Sequence, residues 1–280
     1  MNKSDEKLKC CVCNSHANSR SFRQVDGYDL MKCHQCSLVY LKYSPENNHN
    51  FIQDSNEGKV EYWSAPKFFD RHEDVFKKYF QQRLKRMKSF YPPNGPILDV
   101  GVGYGFWAQY LIKQGYEVEG IDISKEALEH AVSYFGVKAT KQSFEEFETN
   151  RKYSAIFMFD VLEHLDSPGL MIQKAKKLLL PGGILYIQVP NVLGVRYPFN
   201  HNLGLPHHLW QFNPSSLLTL LSQSGFGSNR QYWTGIQGVI GVHEKGGPSL
   251  VTQILWNLAN KLRIGNRLQV VSQKCDSTPQ

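Results

Sequence analysis

No apolar run in this chain approaches the roughly 18–20 residues that a membrane-spanning helix needs, so no transmembrane segment is expected. The opening Met1-Asn2-Lys3-Ser4-Asp5-Glu6-Lys7 lacks the apolar stretch of a secretory signal, and a cytoplasmic location is expected. No internal repeat or low-complexity tract is found, which argues against a repeat architecture. Charged residues make up 20% and hydrophobic residues 41% of 280, the balance of a soluble protein with a real core. That length suits one medium domain plus a small appendage.

Basic charge, by contrast, is in excess. Lys and Arg outnumber Asp and Glu by 32 to 25, a net charge of +7. Basic residues gather at Lys77, Lys78, Arg83, Lys85, Arg86 and Lys88, and again at Lys261, Arg263 and Arg267. This suits nucleic acid, an acidic membrane surface or a phosphorylated substrate without choosing among them. The 77–88 cluster reads most simply as a solvated helix face.

Cys10-x-x-Cys13 and Cys33-x-x-Cys36 form two knuckles about 20 residues apart, close to the spacing of a zinc ribbon. Zinc takes four soft ligands in a tetrahedron, and two knuckles supply them with little loop strain. Four protein ligands leave no open position, so the expected Zn²⁺ is structural. A segment of about 45 residues buries little core, and the metal would hold it folded. A redox reading would need a βαβ context, which is missing. Cys11 is then a spare thiol, His16 and His34 are alternative ligands, and Cys275 is expected to be unpaired. Residues 37–43 alternate as a ribbon strand. Substrate, a partner protein and the neighbouring domain are all open as the ribbon's contact.

Ile97 to Val100 read as a short buried strand. Gly101, Gly103 and Gly105 follow at alternate positions, and an amphipathic stretch from Phe106 to Gln114 starts at once. Strand, glycine-rich turn and helix together cradle a nucleotide. A second strand over Glu117–Asp122 ends in a carboxylate placed to accept hydrogen bonds from ribose hydroxyls. The pattern Asp99-x-Gly-x-Gly-x-Gly departs from the dinucleotide G-x-G-x-x-G.

It resembles motif I of class I S-adenosylmethionine (SAM) dependent methyltransferases. The resemblance places Asp99 near the methionine moiety, the three glycines against the ligand and Asp122 at the ribose, with Ile123 next to it among the cofactor-binding residues. Three further segments match in order. Lys141–Phe147, with Ser143 and Phe144, fits the loop that passes the adenine; Ser143 and Glu146 also make a capping-box pattern for a helix N-terminus. Tyr153–Leu165 resembles the fourth strand and "LEHL" segment of small-molecule methyltransferases, with Asp160 and Val161 flanking the cofactor. Leu178–Ile187 looks like the family's helix, Pro-Gly-Gly turn and fifth strand. The resemblance covers roughly residues 60–275. It implies a Rossmann-like seven-stranded α/β sheet with helices on both faces. With it go a zinc-ribbon-like domain over 1–45, a linker and helical lid over 46–92, and a SAM-dependent methyltransferase domain over 93–280.

Residues 44–58 read as a linker. Residues 66–90 carry apolar side chains at helical period, and Tyr62 and Trp63 are core or lid aromatics. The segment 205–214 resembles the "H-x-x-x-F-(S/T/N)-P" stretch before the family's last large helix, with Asn213 capping 214–224. Residues 227–234 and 268–272 would form the antiparallel edge hairpin. Between them, 251–262 is amphipathic; packing on the sheet is favoured over peripheral contact with a membrane surface.

Methyl transfer is an in-line displacement whose rate owes much to positioning. An oxygen or carbon nucleophile needs a base, and histidine suits that near neutral pH. His164, just past the fourth strand, and His207 and His208 on the loop expected to cross the pocket are the candidates. A tandem pair sends one ring inward and one outward. The resemblance implies transfer to oxygen or carbon of a small molecule or glycan precursor. An rRNA or tRNA methyltransferase using the ribbon is the alternative. It lacks support from the fourth strand, where an Asn/Asp-Pro-Pro-aromatic turn is absent. A non-catalytic SAM-fold scaffold is the third reading.

Overall fold

Alternation of side chains sorts the strands onto two apolar faces, and the helices cover both. A computed structural model describes residues 10–14, 19–42, 66–90, 94–194, 203–227, 230–235, 250, 254, 258–259, 261–262 and 264–274. The first strands are β1 (Ser19–Val25), β2 (Tyr28–Cys33) and β3 (Val39–Leu41). Next come β4 (Ile97–Val100), β5 (Val118–Asp122), β6 (Lys138–Lys141), β7 (Tyr153–Phe159) and β8 (Leu179–Pro190). The last are β9 (Trp210–Gln211), β10 (Arg230–Gly235) and β11 (Arg267–Gln273). The helices are α1 (Pro66–Arg71), α2 (Glu73–Phe90), α3 (Phe106–Lys113), α4 (Lys125–Phe135), α5 (Pro168–Leu178) and α6 (Pro214–Gln223).

The main sheet runs β10-β11-β8-β7-β4-β5-β6. Its five strands from β8 to β6 are parallel, and β11 and β10 close the edge antiparallel. Chain order reverses at β4, the place where such sheets open a ligand crevice at their carboxyl ends. Leu98, Val100, Ile156, Met158, Leu185 and Ile187 face α5 and α6 in one core. Ile97, Ala155, Phe157, Ile184 and Tyr186 face α2 and α3 in the other. The expected Rossmann-like sheet is therefore present. No described helix is long and apolar enough to cross a membrane.

Three local expectations change. The capping-box pattern at Ser143 starts no helix: Ser143 Oγ does accept from Glu146 N–H (3.3 Å), yet the chain makes only a turn. Phe144 and Phe147 turn inward there, and no apolar face follows to hold further helical turns. Pro181-Gly182-Gly183 makes no break before the fifth strand. Tyr153 pairs with Leu179 and Ala155 with Ile184, so residues 180–183 bulge within one long β8. The 77–88 cluster is only partly a solvated face, because Arg83 is buried and Arg86 half-buried against the sheet.

The segment that carries the four cysteines shares a sheet with the main body. Its sheet runs β1-β2-β3-β9, and β9 belongs to the segment leading into α6. Asn213 caps α6 through a reciprocal bond pair with Ser216, and its Nδ2 donates to Ser37 O of the second knuckle (2.9 Å). Tyr40 packs on Trp210 with ring centroids 5.8 Å apart. Val12, Cys36 and Leu38 enter the same core as Leu162, Phe212 and Leu217. Of the three contacts left open for the cysteine segment, packing against the main body is observed among the described residues. The linker over 44–58, Tyr62, Trp63, His16 and Cys275 lie outside the described residues.

Candidate active site

The glycine turn after β4 is fixed by Asp122. Gly103 N–H donates to Asp122 Oδ2 (2.7 Å), and Ser124 N–H donates to Oδ1 (2.8 Å). Each carboxylate oxygen keeps a lone pair for a ligand hydroxyl. Gly103 has φ +54°, and a Cβ built there meets no atom of the described residues within 4 Å. Gly105 is the opposite case. At φ +82° its Cβ would lie 2.7 Å from Ala131 Cβ, so it lets α3 start tight against α4. Gly101, between them and the strand, donates its N–H to Ile121 O (2.9 Å). The three glycines and Asp122 are thus one unit. Ile123 next to it is 58% exposed, with Lys125, Glu126, Glu129 and Lys141 around a shallow cleft. Ser143 lies past the neighbouring strand end, whereas Phe144 is buried against Phe147.

Asp99 is buried at the end of β4, on the face covered by α2. Burial pushes its carboxyl up to about 7, against the pull of Arg83; the Asp122 charge adds to the rise. Arg83 is a site residue that the sequence reading left in a solvated cluster. It is 6% exposed and sits over the rings of Phe159 (3.9 Å) and Tyr79 (4.3 Å). Arg83 Nη2, the Tyr79 hydroxyl and Gln269 Nε2 all donate to Gln188 Oε1. Gln188 Nε2 in turn donates to Asp160 Oδ2 (2.6 Å). Asp160 adopts φ +56°, and its Oδ1 lies 3.7 Å from Arg267 Nε. Val161 follows, with Cγ2 where a Cβ on Gly101 would collide. A buried polar chain therefore links α2 to the end of β7.

Beyond Asp160 the chain makes a 3₁₀ turn, Leu162–His164. Its Glu163 carbonyl accepts from Leu209 N–H (2.9 Å), which joins the turn to the segment that carries His207 and His208. His164 and His208 meet with ring centroids 4.7 Å apart. His207 points outward and is exposed, while His208 is half-buried, the split expected of a tandem pair. His164 Nδ1 lies 2.9 Å from His207 O. A carbonyl only accepts, so Nδ1 carries the proton and Nε2 keeps its lone pair. Protein crowding around His164 lowers its pKa, although part of the ring stays exposed. Burial pushes His208 down to about 3. Both rings are neutral at neutral pH.

Glu163 is the second residue missed. It is fully buried, and neither carboxylate oxygen has a hydrogen-bond partner among the described residues. Burial, and next the Asp160 charge, push its carboxyl well above the usual range. Its donor atoms, with those of His164 and His208, lie within 4.8 Å of one another.

Sγ atoms of Cys10, Cys13, Cys33 and Cys36 also lie within 4.8 Å of one another. A tetrahedral zinc site with bonds of about 2.3 Å has sulfur–sulfur edges of about 3.8 Å, so this donor set fits one ion. The two knuckles repeat one geometry. Asn14 N–H donates to Cys10 O and Ser37 N–H to Cys33 O, with Asn14 and Ser37 both left-handed. Cys11 and His34 stand outside the four.

Comparisons with known proteins agree with this geometry. A family model described as a methyltransferase domain matches residues 70–228. A mitochondrial ubiquinone biosynthesis O-methyltransferase of Dictyostelium discoideum is 25% identical over 191 residues, 58% of each chain. The Coxiella burnetii ubiquinone biosynthesis O-methyltransferase is 28% identical over 144 residues, 46% of this chain and 62% of its own. The chain thus matches about three-fifths of the length of these relatives. Among solved structures, a SAM-dependent methyltransferase from Archaeoglobus fulgidus has a TM-score of 0.53 at 18% identity, covering 74% of this chain and 99% of its own. Phosphoethanolamine N-methyltransferase 2 of Haemonchus contortus, solved with SAM, scores 0.57 at 17% identity over 77% of this chain and 59% of its own. At such identities the structures show a shared fold.

Proposed function

The chain belongs to the family of methyltransferase domains, and from that premise we propose that it methylates an oxygen of a small molecule at the expense of SAM. The observation that carries this reading is the cradle at Gly103, where Asp122 holds the turn and, among the described residues, no side chain fills the space next to it. The residues present fit SAM. Asp122 has lone pairs for the ribose hydroxyls. The Asp99 carboxyl and the Arg83 guanidinium would face the amino and carboxylate ends of the methionine portion, and the ammonium beside Asp99 would draw its proton off. Ile123 and the loop at Ser143 and Phe144 border the adenine side, and Asp160 and Val161 close the turn from β7. SAM supplies a methyl group already activated as a sulfonium.

The protein's own task is to place the acceptor and take its proton. His164 suits that task, because its Nε2 is the free nitrogen of a neutral ring. Transfer of a hydroxyl proton to this nitrogen makes the acceptor oxygen a better nucleophile. His208, packed on His164, orients the ring; its own basicity is too low for the same work near neutral pH. The named relatives are O-methyltransferases, which favours oxygen over carbon. A sugar or glycan precursor is the acceptor class implied by the motif resemblance. A panel of phenolic and sugar acceptors, labelled from SAM and mapped by mass spectrometry, tests the reading. O-methylated product that disappears in His164→Gln, with S-adenosylhomocysteine (SAH) binding intact, is expected. Product methylated only at nitrogen or in RNA would overturn it.

We also assign one structural Zn²⁺ to Cys10, Cys13, Cys33 and Cys36, supported by the converging donors and the matched knuckles. Elemental analysis should find one zinc per chain, lost in Cys36→Ser. Metal-free protein of unchanged stability would contradict the assignment.

A further inference from the structure

Packing on the sheet is the expectation for residues 251–262; among the described residues of this region, four apolar side chains face solvent. Backbone at Leu250, Ile254, Leu258, Ala259 and Lys261 is helical. Leu262 N–H donates to Leu258 O and Ile264 N–H to Ala259 O, both at 2.9 Å. Leu250, Ile254, Leu258 and Leu262 recur at every fourth position, which puts them on one face. They are 73%, 57%, 50% and 58% exposed, whereas Ala259 is 5% exposed and anchors the inner side. A stripe of four exposed branched side chains is more than the scattered apolar residues that surfaces normally carry.

Charge selects what covers this stripe. From Lys245 to Ile264 the sequence holds Lys245, Lys261 and Arg263 and no Asp or Glu. A second copy docking face to face would set this basic segment against itself. An anionic surface with an apolar interior satisfies both features. The stretch from Leu250 to Leu262 would be about 18 Å long as a helix, too short to span a bilayer and suited to lying in its interface.

The stripe also ends at the rim of the site. Gly265 O accepts from Asn191 Nδ2 and Asn266 O from Asn191 N–H, both at 2.8 Å. Arg267 then reaches Asp160. Leu193, beside Asn191, is 69% exposed.

We infer that the exposed stripe Leu250, Ile254, Leu258 and Leu262, with its basic flanks, docks this protein on an anionic phospholipid bilayer with the acceptor side of the site at the membrane. The docking itself needs no methyl transfer and stands apart from that reading. Flotation of the full-length, zinc-replete protein with vesicles tests it, using phosphatidylcholine alone and an equimolar mixture with phosphatidylglycerol. The protein should float with the anionic vesicles, at least tenfold less with neutral ones, and less as salt rises. Ile254→Glu/Leu258→Glu should lose the binding while its SAH titration stays that of wild type. Equal flotation of that variant, absence of wild-type flotation, or a wild-type dimer that the variant makes monomeric would each overturn the inference. None of those outcomes touches the cofactor site, which SAH binding reports separately.

Discussion

Gly103 and Gly105 lie two residues apart, both at positive φ, yet alanine should do different damage at each. At Gly105 the new Cβ would sit 2.7 Å from Ala131 Cβ and 3.1 Å from Ala131 Cα. The left-handed backbone costs roughly 1 kcal/mol, and forcing α3 off α4 adds about 1–3 kcal/mol. Gly105→Ala should therefore lose about 2–4 kcal/mol, a fall in Tm of roughly 5–15 °C for a chain of this size. At Gly103 the Cβ meets no atom of the described residues within 4 Å. Only the backbone term of roughly 1 kcal/mol applies, so Gly103→Ala should stay folded. Its methyl group would, however, occupy the space assigned to the ligand. SAH affinity should drop at least tenfold, equivalent to about 1.4 kcal/mol. Thermal unfolding without ligand and calorimetric titration with SAH measure the two effects separately. Wild-type SAH affinity in Gly103→Ala would refute the cradle, and wild-type stability in Gly105→Ala would refute the packing argument.

Three other expectations follow from burial and hydrogen bonding. His164 has a lowered pKa, so its neutral form gains with pH below the ordinary histidine range; kcat/KM should rise with pH there, level off above it, and lose this limb in His164→Gln. Asp99 is raised from 3.8 to about 7, so folding favours its protonated form, and the contribution present below 3.8 is lost as pH rises through 7. Asp99→Asn should then match wild type near pH 4 without ligand and exceed it by roughly 2–4 kcal/mol near pH 8, as urea unfolding would show. Asn213→Ala removes the α6 cap and the bond to Ser37, and should cost about 1–2 kcal/mol; an unchanged urea midpoint would deny the cap its role.

The elements that sequence reading placed best are those whose cause is local. Gly101, Gly103 and Gly105 punctuate the β4–α3 turn by their own backbone freedom, and Asn213-Pro214 starts α6 by its own capping chemistry. The convergence of Cys10, Cys13, Cys33 and Cys36 was equally legible, since paired knuckles at that spacing bring four thiols together. Arg83 was not legible, because its burial depends on α2 lying across β7 and β8, whose ends hold Phe159 and Gln188. Glu163 and His208 become neighbours only through the pairing of residue 209 with the turn after β7. The Ser143 pattern misled because a capping box needs an apolar helical face behind it. Periodicity at 251–262 identified an apolar face and favoured the sheet as its partner, but periodicity alone carries no information on what lies opposite.

Calorimetric titration of zinc-replete protein with SAH, set beside Asp122→Ala, tests the central claim most directly. Micromolar binding by wild type, lost in Asp122→Ala while its thermal unfolding remains cooperative, is the predicted result. A well-folded wild type that takes up no SAH, or an Asp122→Ala variant that binds it unchanged, would contradict the assignment of this cradle to the methyl donor.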